Sequence, residues 1–104
     1  MKLSVITPVG PGHQEVVKNA MRSVAFLRSG PFTAIRHVVI DDGEGRLGRS
    51  RARNLGMETA ADWFFFLDAD DLMLRHATTL VDFDAPATFG AILLSGKPSR
   101  ANAF

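Results

Sequence analysis

The sequence predicts an α/β domain, built on an open, mostly parallel four-stranded sheet flanked by helices. Short runs of β-branched or aromatic residues alternate along the chain with stretches whose apolar residues recur every three or four positions. Such alternation of strands and helices favours a parallel sheet with right-handed crossovers. Polar residues follow three of the predicted strands, which is where an open sheet of this class binds ligands.

The first thirty residues predict one strand and one helix. The strand Lys2–Thr7 is rich in β-branched residues and ends at Pro8. Glycine and proline in 9–12 predict a loop. Gln14–Leu27 is predicted as an amphipathic helix because its apolar residues share one face, and Gly30 lies near the expected C-terminal cap.

The middle of the chain predicts a second strand and a second helix. The strand Ala34–Ile40 ends in the turn sequence Asp41-Asp42-Gly43, and the polar residues 44–48 predict a loop. Ser50 is a suitable N-cap for a helix over Arg51–Ala61. The inner face of this helix is predicted to carry Ala52, Leu55, Thr59 and Ala60.

The last third predicts a central strand, a helix and a fourth strand. Trp63–Leu67 is apolar on both faces, as expected for a central strand with helices on both sides. A helix over Leu72–Val81, a loop over 82–88 and a strand over Ala91–Leu94 follow. The remaining residues are small and polar, and we expect this tail to fray over about 96–104.

Length and composition are those of one globular domain over residues 1–104. The chain has no cysteine, which excludes a disulfide framework and a thiolate zinc site. Its net charge of +1 argues against a dedicated nucleic-acid binder. The longest apolar runs are much shorter than the ~20 residues of a membrane span. The N-terminal apolar stretch is also too short for a cleavable signal peptide, so we expect a cytoplasmic chain.

Acidic residues follow two of the predicted strands, in Asp41-Asp42-Gly43 and in Asp68-Ala69-Asp70-Asp71. The carboxyl ends of parallel strands share one edge, so these carboxylates should converge there. Clustered carboxylates repel unless a cation neutralises them, and oxygen ligands suit Mg²⁺ or Mn²⁺. The alternative is that these aspartates form turns and cap the next helices.

Arginine is concentrated between the two acidic segments, with four arginines in the sequence Arg46-Leu-Gly-Arg-Ser-Arg-Ala-Arg-Asn54. Guanidinium groups and a helix N-terminus both suit phosphate, and a metal beside arginine is one way to hold a diphosphate. The alternative is a solvated basic face. The three histidines are dispersed without metal-ligand spacing, and we interpret them as structural or exposed.

Four blocks of sequence resemble the nucleotide-sugar half of family 2 glycosyltransferases, which have the GT-A fold. In order along the chain they are Leu3-Ser-Val-Ile-Thr-Pro8, Val38-Val-Ile-Asp-Asp-Gly43, Gly48-Arg-Ser-Arg-Ala-Arg-Asn-Leu-Gly56 and Phe66-Leu-Asp-Ala-Asp-Asp-Leu72. They cover residues 3 to about 75, and their order matches the family's pattern. The resemblance implies a Rossmann-like sheet and a nucleotide-diphosphate sugar held through a divalent metal.

The resemblance also implies roles for individual residues. Asp68 and Asp70 match the DxD motif: Asp70 would coordinate Mn²⁺ or Mg²⁺ on the diphosphate, while Asp68 would lie against the ribose and metal-bound waters. Asp42, with Asp41 beside it, matches the pair that recognises the nucleobase. The remaining matches are Thr7 and Pro8 in the nucleoside pocket, Arg49 at the base or diphosphate, Arg53 and Asn54 as ligand contacts or braces, and Asp71 as a helix cap.

Two departures from the family pattern have consequences for function. Only 44–49 join the Asp-Asp-Gly turn to the arginine-rich helix, where the family has another helix and strand, so the sheet should lack one edge strand and the nucleobase pocket should be more open. The family's later half supplies the acceptor site and a catalytic base, and Asp82 and Asp84 come too early to match that base. No catalytic residue is therefore assigned.

Three functions fit these observations. The first is nucleotide-sugar binding, with inverting glycosyl transfer if the chain is active. The second is a non-catalytic binding or assembly module that keeps a truncated GT-A fold. The third is a phosphatase of the haloacid-dehalogenase type, which ranks last because that group carries its Asp-x-Asp on the first strand.

A sheet with unpaired edges is an association hazard. We expect Ala34–Ile40 to form one edge, and a homo-oligomer to cover it or the face where an acceptor half would dock.

Overall fold

A computed structural model of the chain describes residues 1–79 together with the backbone of two strands, 91–94 and 97–103. The elements in chain order are β1 (Lys2–Val9), α1 (Val17–Ala25), β2 (Ala34–Asp41), α2 (Arg49–Gly56), β3 (Trp63–Phe66), a 3₁₀ turn (Ala77–Thr79), β4 (Ala91–Leu94) and β5 (Lys97–Ala103). In the described residues, no helix is both long enough and apolar enough to cross a membrane.

The three strands β1, β2 and β3 form an open parallel sheet in the order β2-β1-β3. The predicted α/β class with a parallel sheet is therefore confirmed, and β2 lies at an edge as expected. The expectation that Trp63–Leu67 is the central strand is wrong for the described residues, where β1 is central and β3 lies at the other edge. In the register, Val5 of β1 lies opposite His37 of β2 and Phe65 of β3. The central position of β1 explains why every residue of this strand after Lys2 is buried.

Strand alternation divides the side chains of the sheet between two faces. One face packs against α1 and contains the main apolar core. The buried members of that core are Leu3, Val5, Ala20, Val24, Phe32, Phe65, Leu67, Met73 and Ala77. β1 contributes Leu3 and Val5 to this core from the centre of the sheet. The core therefore holds the strand ends in a defined position.

The opposite face packs against α2 through a close contact at Gly56. A Cβ atom at Gly56 would overlap the side chain of Ile6, so the absence of a side chain lets the helix approach the sheet. Beyond the helix, the hydroxyls of Ser4 and Thr59 share a hydrogen bond of 3.1 Å. These contacts hold α2 against β1 and place its N-terminus beside the strand ends.

The helix α2 differs from the prediction at both ends. It begins at Arg49 with Gly48 as its N-cap, rather than after Ser50, and it ends at Gly56 rather than Ala61. The Thr59 hydroxyl donates to the carbonyl oxygen of Gly56 at 2.9 Å, which gives that carbonyl a partner outside the helix. Two residues predicted for the inner face, Leu55 and Ala60, are exposed.

The helix predicted over Leu72–Val81 is wrong for the residues that the structure describes. Residues 72–74 are irregular, and only Ala77–Thr79 form a 3₁₀ turn; residues 80–81 lie outside the described range. The Met73 N–H donates to the Ser23 hydroxyl at 2.9 Å, and the Arg28 N–H donates to the Arg75 carbonyl at 2.9 Å. Backbone groups of this segment therefore form hydrogen bonds with α1 and with the residues that follow α1, instead of with a helix of their own.

The predicted four-stranded sheet is not confirmed, since in the described residues the parallel sheet has three strands. Ala91–Leu94 is a strand, β4, but it pairs antiparallel with β5 in a separate two-stranded sheet. The β5 strand lies within the polar tail, where the residue pattern carried no strand signal. The predicted loop 82–88 lies outside the described residues. The helix α1 is shorter than predicted, spanning Val17–Ala25 within Gln14–Leu27.

Candidate functional site

A cavity of about 400 Å³ opens at the carboxyl ends of the three parallel strands, and we call it the rim pocket. Its walls come from the segments that follow β1, β2 and β3, together with the first turn of α2. Its lining residues are Pro8, Gly10, Pro11, His13, Asp42, Gly45, Gly48, Arg49, Ala52, Asp68, Ala69 and Asp70. The predicted convergence of acidic and basic groups at this edge is thus observed for some of the expected residues, and the rest lie elsewhere.

The end of β1 contributes Pro8 to the rim pocket but not Thr7. Thr7 is fully buried on the α1 face, where its hydroxyl shares a hydrogen bond of 2.7 Å with Nε2 of His37. Burial lowers the pKa of His37 from 6.5 to about 4, so its ring is neutral at physiological pH. Thr7 and His37 therefore form a polar pair inside the fold, away from the pocket.

The acidic segment after β2, Asp41-Asp42-Gly43, is largely occupied by its own loop. Asp42 is only 8% exposed, and its two carboxylate oxygens accept the N–H groups of Leu47 and Gly48 at 3.1 and 2.9 Å. Asp41 is exposed and accepts the Gly43 N–H at 3.0 Å. Of these two, Asp42 alone lines the rim pocket; Asp41 lines a neighbouring cavity.

The arginines of α2 take two different positions. Arg49 lines the rim pocket, whereas the Arg53 guanidinium pairs with Asp68 at 3.3 Å and lies 5.6 Å from the centre of the Phe66 ring. In this arrangement Arg53 braces Asp68, and its Nε is buried with no hydrogen-bond partner in the described part of the chain. Asn54 is exposed and does not line the rim pocket.

The acidic segment after β3 leaves carboxylate oxygens available, although one oxygen of Asp68 pairs with Arg53. Asp68, Asp70 and Asp71 each offer an oxygen within 4.8 Å of the others. The turn is closed by the backbone, with the Asp71 N–H donating to the Asp68 carbonyl at 3.1 Å, so this turn does not consume a carboxylate. Three convergent carboxylate oxygens suit a hard divalent cation such as Mg²⁺ or Mn²⁺.

Asp68 is half-buried, and its pKa is affected by that burial and by the charges around it. Burial raises its pKa above the usual value of 3.8, and the nearby Asp71 and Asp70 act in the same direction. The positive charges of Arg49 and Arg53 oppose this shift without cancelling it. Burial favours the protonated form of Asp68, whereas a cation bound to these oxygens would favour its ionised form.

Sequence reasoning missed two features of the site. The resemblance implies a helix cap for Asp71, but no α-helix follows it in the described residues, and its carboxylate joins the acidic cluster. The sequence predicts a structural or exposed role for His13, but this residue lines the rim pocket from the loop after β1. A usable signal existed for His13, because any polar residue in that loop belongs to the same edge of the sheet.

The chain has no match among models of protein families, among curated proteins or among solved structures.

Proposed function

We propose that this chain binds a nucleotide-diphosphate sugar in the rim pocket through a divalent cation at Asp68 and Asp70. The observation that supports this most strongly is the meeting of Asp68, Asp70 and Arg49 in one cavity at the ends of three parallel strands. A diphosphate needs positive charge on more than one side, and a cation opposite an arginine supplies it. The resemblance to family 2 glycosyltransferases, with a Rossmann-like nucleotide-binding half, supports the same ligand.

The residues present fit the cation that this proposal requires. Asp70 is exposed and forms no hydrogen bond in the described chain, so its oxygens can enter a coordination shell without breaking a contact. Asp68 uses one oxygen for Arg53, which leaves the other available. When bound, Mn²⁺ or Mg²⁺ would stabilise the negative charge of a departing diphosphate.

The protein's own side chains would orient the rest of the ligand. Arg49 can donate to phosphate oxygens from the first turn of α2, and its fixed planar fork favours that geometry. Pro8 and Pro11 give the rim pocket an apolar wall against which a base or ribose can pack. Arg53 holds Asp68 in place from behind.

A non-catalytic binding module is the second candidate, and the shortage of carboxylates favours it. In the described residues, three carboxylates line the rim pocket: Asp42, Asp68 and Asp70. Asp42 is engaged by its loop, and the proposed cation uses the other two. Within that part of the chain no pocket carboxylate is left to act as the base of an inverting transfer, so the proposal here is ligand binding, with transfer requiring a base from elsewhere.

Calorimetric titration tests the proposal directly. UDP-, GDP- and other sugar nucleotides are titrated into the chain with and without Mn²⁺, and we expect binding that depends on the cation. Asp70→Asn is expected to abolish this binding. Asp62→Asn is its matched control because Asp62 is an exposed carboxylate at the other end of β3, where its side chain accepts the Lys2 N–H at 2.7 Å. Absence of binding for every sugar nucleotide at about millimolar concentration, where the binding free energy is only about 4 kcal/mol, would contradict the proposal.

We further propose that the chain self-associates through the edge of the parallel sheet. In the described part of the chain nothing pairs with the outer edge of β2, and unpaired N–H and C=O groups there can accept another strand. Light scattering across micromolar concentrations is expected to show a dimer or larger species, and a monomer throughout that range would contradict this.

A further inference from the structure

The hydrogen bonds of Asp42 point to a role different from base recognition. Its side chain connects the end of β2 to both Leu47 and Gly48, the last two residues of the loop 43–48 before α2. Its carbonyl oxygen also accepts the Gly45 N–H at 2.8 Å. Asp42 therefore accepts three of the six backbone N–H groups of this loop.

The loop determines where α2 begins. Gly48 is the N-cap of α2 and has φ of 78°, a left-handed conformation that residues with side chains rarely adopt. That N-cap has no side-chain hydrogen bond of its own to hold it. The Asp42 carboxylate, which accepts the Gly48 N–H, thus holds this unusual turn in place.

Arg49 depends on that turn for its position in the rim pocket. It is the first residue of α2 and follows Gly48 directly, and both residues line the pocket. Asp68 and Asp70 line the same pocket. A shift of the Gly48 turn would therefore move the cationic wall relative to the acidic one.

A base-reading role would require Asp42 to present free carboxylate surface to a ligand. The residue is 8% exposed, and each of its oxygens already accepts a backbone N–H. Charge-assisted hydrogen bonds of this kind are stronger than neutral ones, so breaking them to bind a base would cost free energy.

We propose that Asp42 is a positioning residue that fixes the loop 43–48, so that Gly48 and Arg49 form the anion-binding wall of the rim pocket. The proposal rests on the proposed function for the identity of the ligand. It assigns Asp42 to recognition of the diphosphate, through Arg49, rather than of the base.

The first experiment needs no ligand. Hydrogen exchange of the Leu47 and Gly48 amides is measured in the parent, in Asp42→Ala and in the matched control Asp41→Ala. We expect exchange about tenfold faster or more for both amides in Asp42→Ala and little change in the control. Asp42→Asn keeps one acceptor oxygen and should restore part of the protection, and it also serves if Asp42→Ala does not fold. Unchanged exchange in a folded Asp42 variant would overturn the proposal.

The second experiment separates positioning from base reading. Binding of Mn²⁺-pyrophosphate, Mn²⁺-UDP and Mn²⁺-GDP is measured for the parent, Asp42→Asn, Arg49→Ala and the double variant. We expect Asp42→Asn to weaken all three ligands by the same factor, on the order of tenfold, with no change in the UDP-to-GDP ratio. The double variant should bind hardly more weakly than Arg49→Ala alone, because Asp42 acts through Arg49. A merely structural effect would be additive.

Two results have distinct meanings. Loss confined to the nucleotides, with pyrophosphate binding intact, would overturn the positioning role and restore base recognition. Failure of the parent to bind any of the three ligands would contradict the proposed function, while hydrogen exchange would still decide whether Asp42 fixes the Gly48 turn.

Discussion

The acidic segments after β2 and β3 resemble each other in sequence but differ in what their carboxylates do. In Asp41-Asp42-Gly43 both aspartates accept N–H groups of the following loop. In Asp68-Ala69-Asp70-Asp71 the turn is closed by a backbone bond, and three carboxylates converge with oxygens to spare. The number of acids at a strand end therefore does not measure how many can bind a ligand. What matters is whether the loop that follows has already used their oxygens.

The difference follows from what each segment has to build. Between β2 and α2, seven residues return the chain to the helix, and the N–H groups of Leu47 and Gly48 lack regular partners, so the Asp42 carboxylate satisfies them. After β3, a single backbone bond from Asp71 to Asp68 makes the turn. Neutralising Asp42 should thus disturb structure, whereas neutralising Asp70 should disturb only binding.

The largest effect is expected for Asp70→Asn on cation binding. We expect Mn²⁺ affinity to fall on the order of 100-fold, because the site loses one charged oxygen ligand. The stability without metal should stay the same or rise slightly, since repulsion within the cluster is relieved. Calorimetry with Mn²⁺ alone and urea denaturation measure the two quantities. Parent-like Mn²⁺ binding would show that Asp70 is not a ligand, and unfolding would show that it is structural.

The next effect is the cost to the fold of removing Asp42. We expect Asp42→Ala to lower the free energy of unfolding by about 2 to 3 kcal/mol, because two N–H groups lose charge-assisted bonds in a mostly buried site. Asp41→Ala should cost about 0.5 kcal/mol or less, since its carboxylate is exposed and holds one turn bond. Urea denaturation compares the two variants. Equal losses of stability would contradict the conclusion that Asp42 has a larger structural role than Asp41.

His37 contributes to the pH dependence of stability. Its contribution has to be measured first, because it overlaps the pH range in which the aspartates titrate. Its pKa is lowered to about 4 in the folded chain from 6.5, so the unfolded chain binds the proton first as pH falls. Stability should therefore decrease as pH falls from about 6.5 to about 4, by about 1 to 2 kcal/mol for this partly exposed ring. His37→Gln, which does not titrate, should flatten that part of the profile in thermal unfolding. An unchanged profile would contradict the role of His37.

The smallest effect has the opposite sign and belongs to Asp68. Because its folded-state pKa is raised above 3.8, the folded chain holds the proton more tightly than the unfolded chain. Its contribution favours the fold at pH below the unfolded value and is lost as pH rises through the raised pKa. In the His37→Gln background, adding Asp68→Asn should remove this slope, and saturating Mn²⁺ should reverse it by stabilising the ionised carboxylate. A slope that survives the Asp68 substitution must come from another group.

The sequence predicted the positions of the three parallel strands along the chain better than the limits of the helices, and the reason is physical. The three parallel strands follow from short apolar runs, because burial on one or both faces leaves a local pattern. The limits of α2 depend on Gly48 in a left-handed conformation and on the Thr59 hydroxyl, which competes for the last carbonyl. Residues 72–74 are not helical, and the Met73 N–H there donates to the hydroxyl of Ser23, a partner 50 residues away in the chain.

The candidate site shows the same division. Strand alternation already separates Thr7 from Pro8, since neighbouring residues of a strand point to opposite faces. Only the packing of the helices decides which of the two faces borders the rim pocket and which one contacts α1. Arg53 could have been a ligand contact or a brace on sequence alone, and its ion pair with Asp68 across two elements makes it a brace.

By itself, the sequence determined the α/β class, the parallel strands and the edge where polar side chains gather, because periodicity and chain order dictate these. The tertiary structure decided which aspartates keep free oxygens, because hydrogen bonds from Leu47 and Gly48 reach Asp42 and none of that loop reaches Asp70. It also added Asp71 to the acidic cluster and His13 to the pocket. Residue type and spacing show which polar groups lie near the site. Only the folded structure shows which of those groups are already hydrogen-bonded to the backbone and which can bind a ligand.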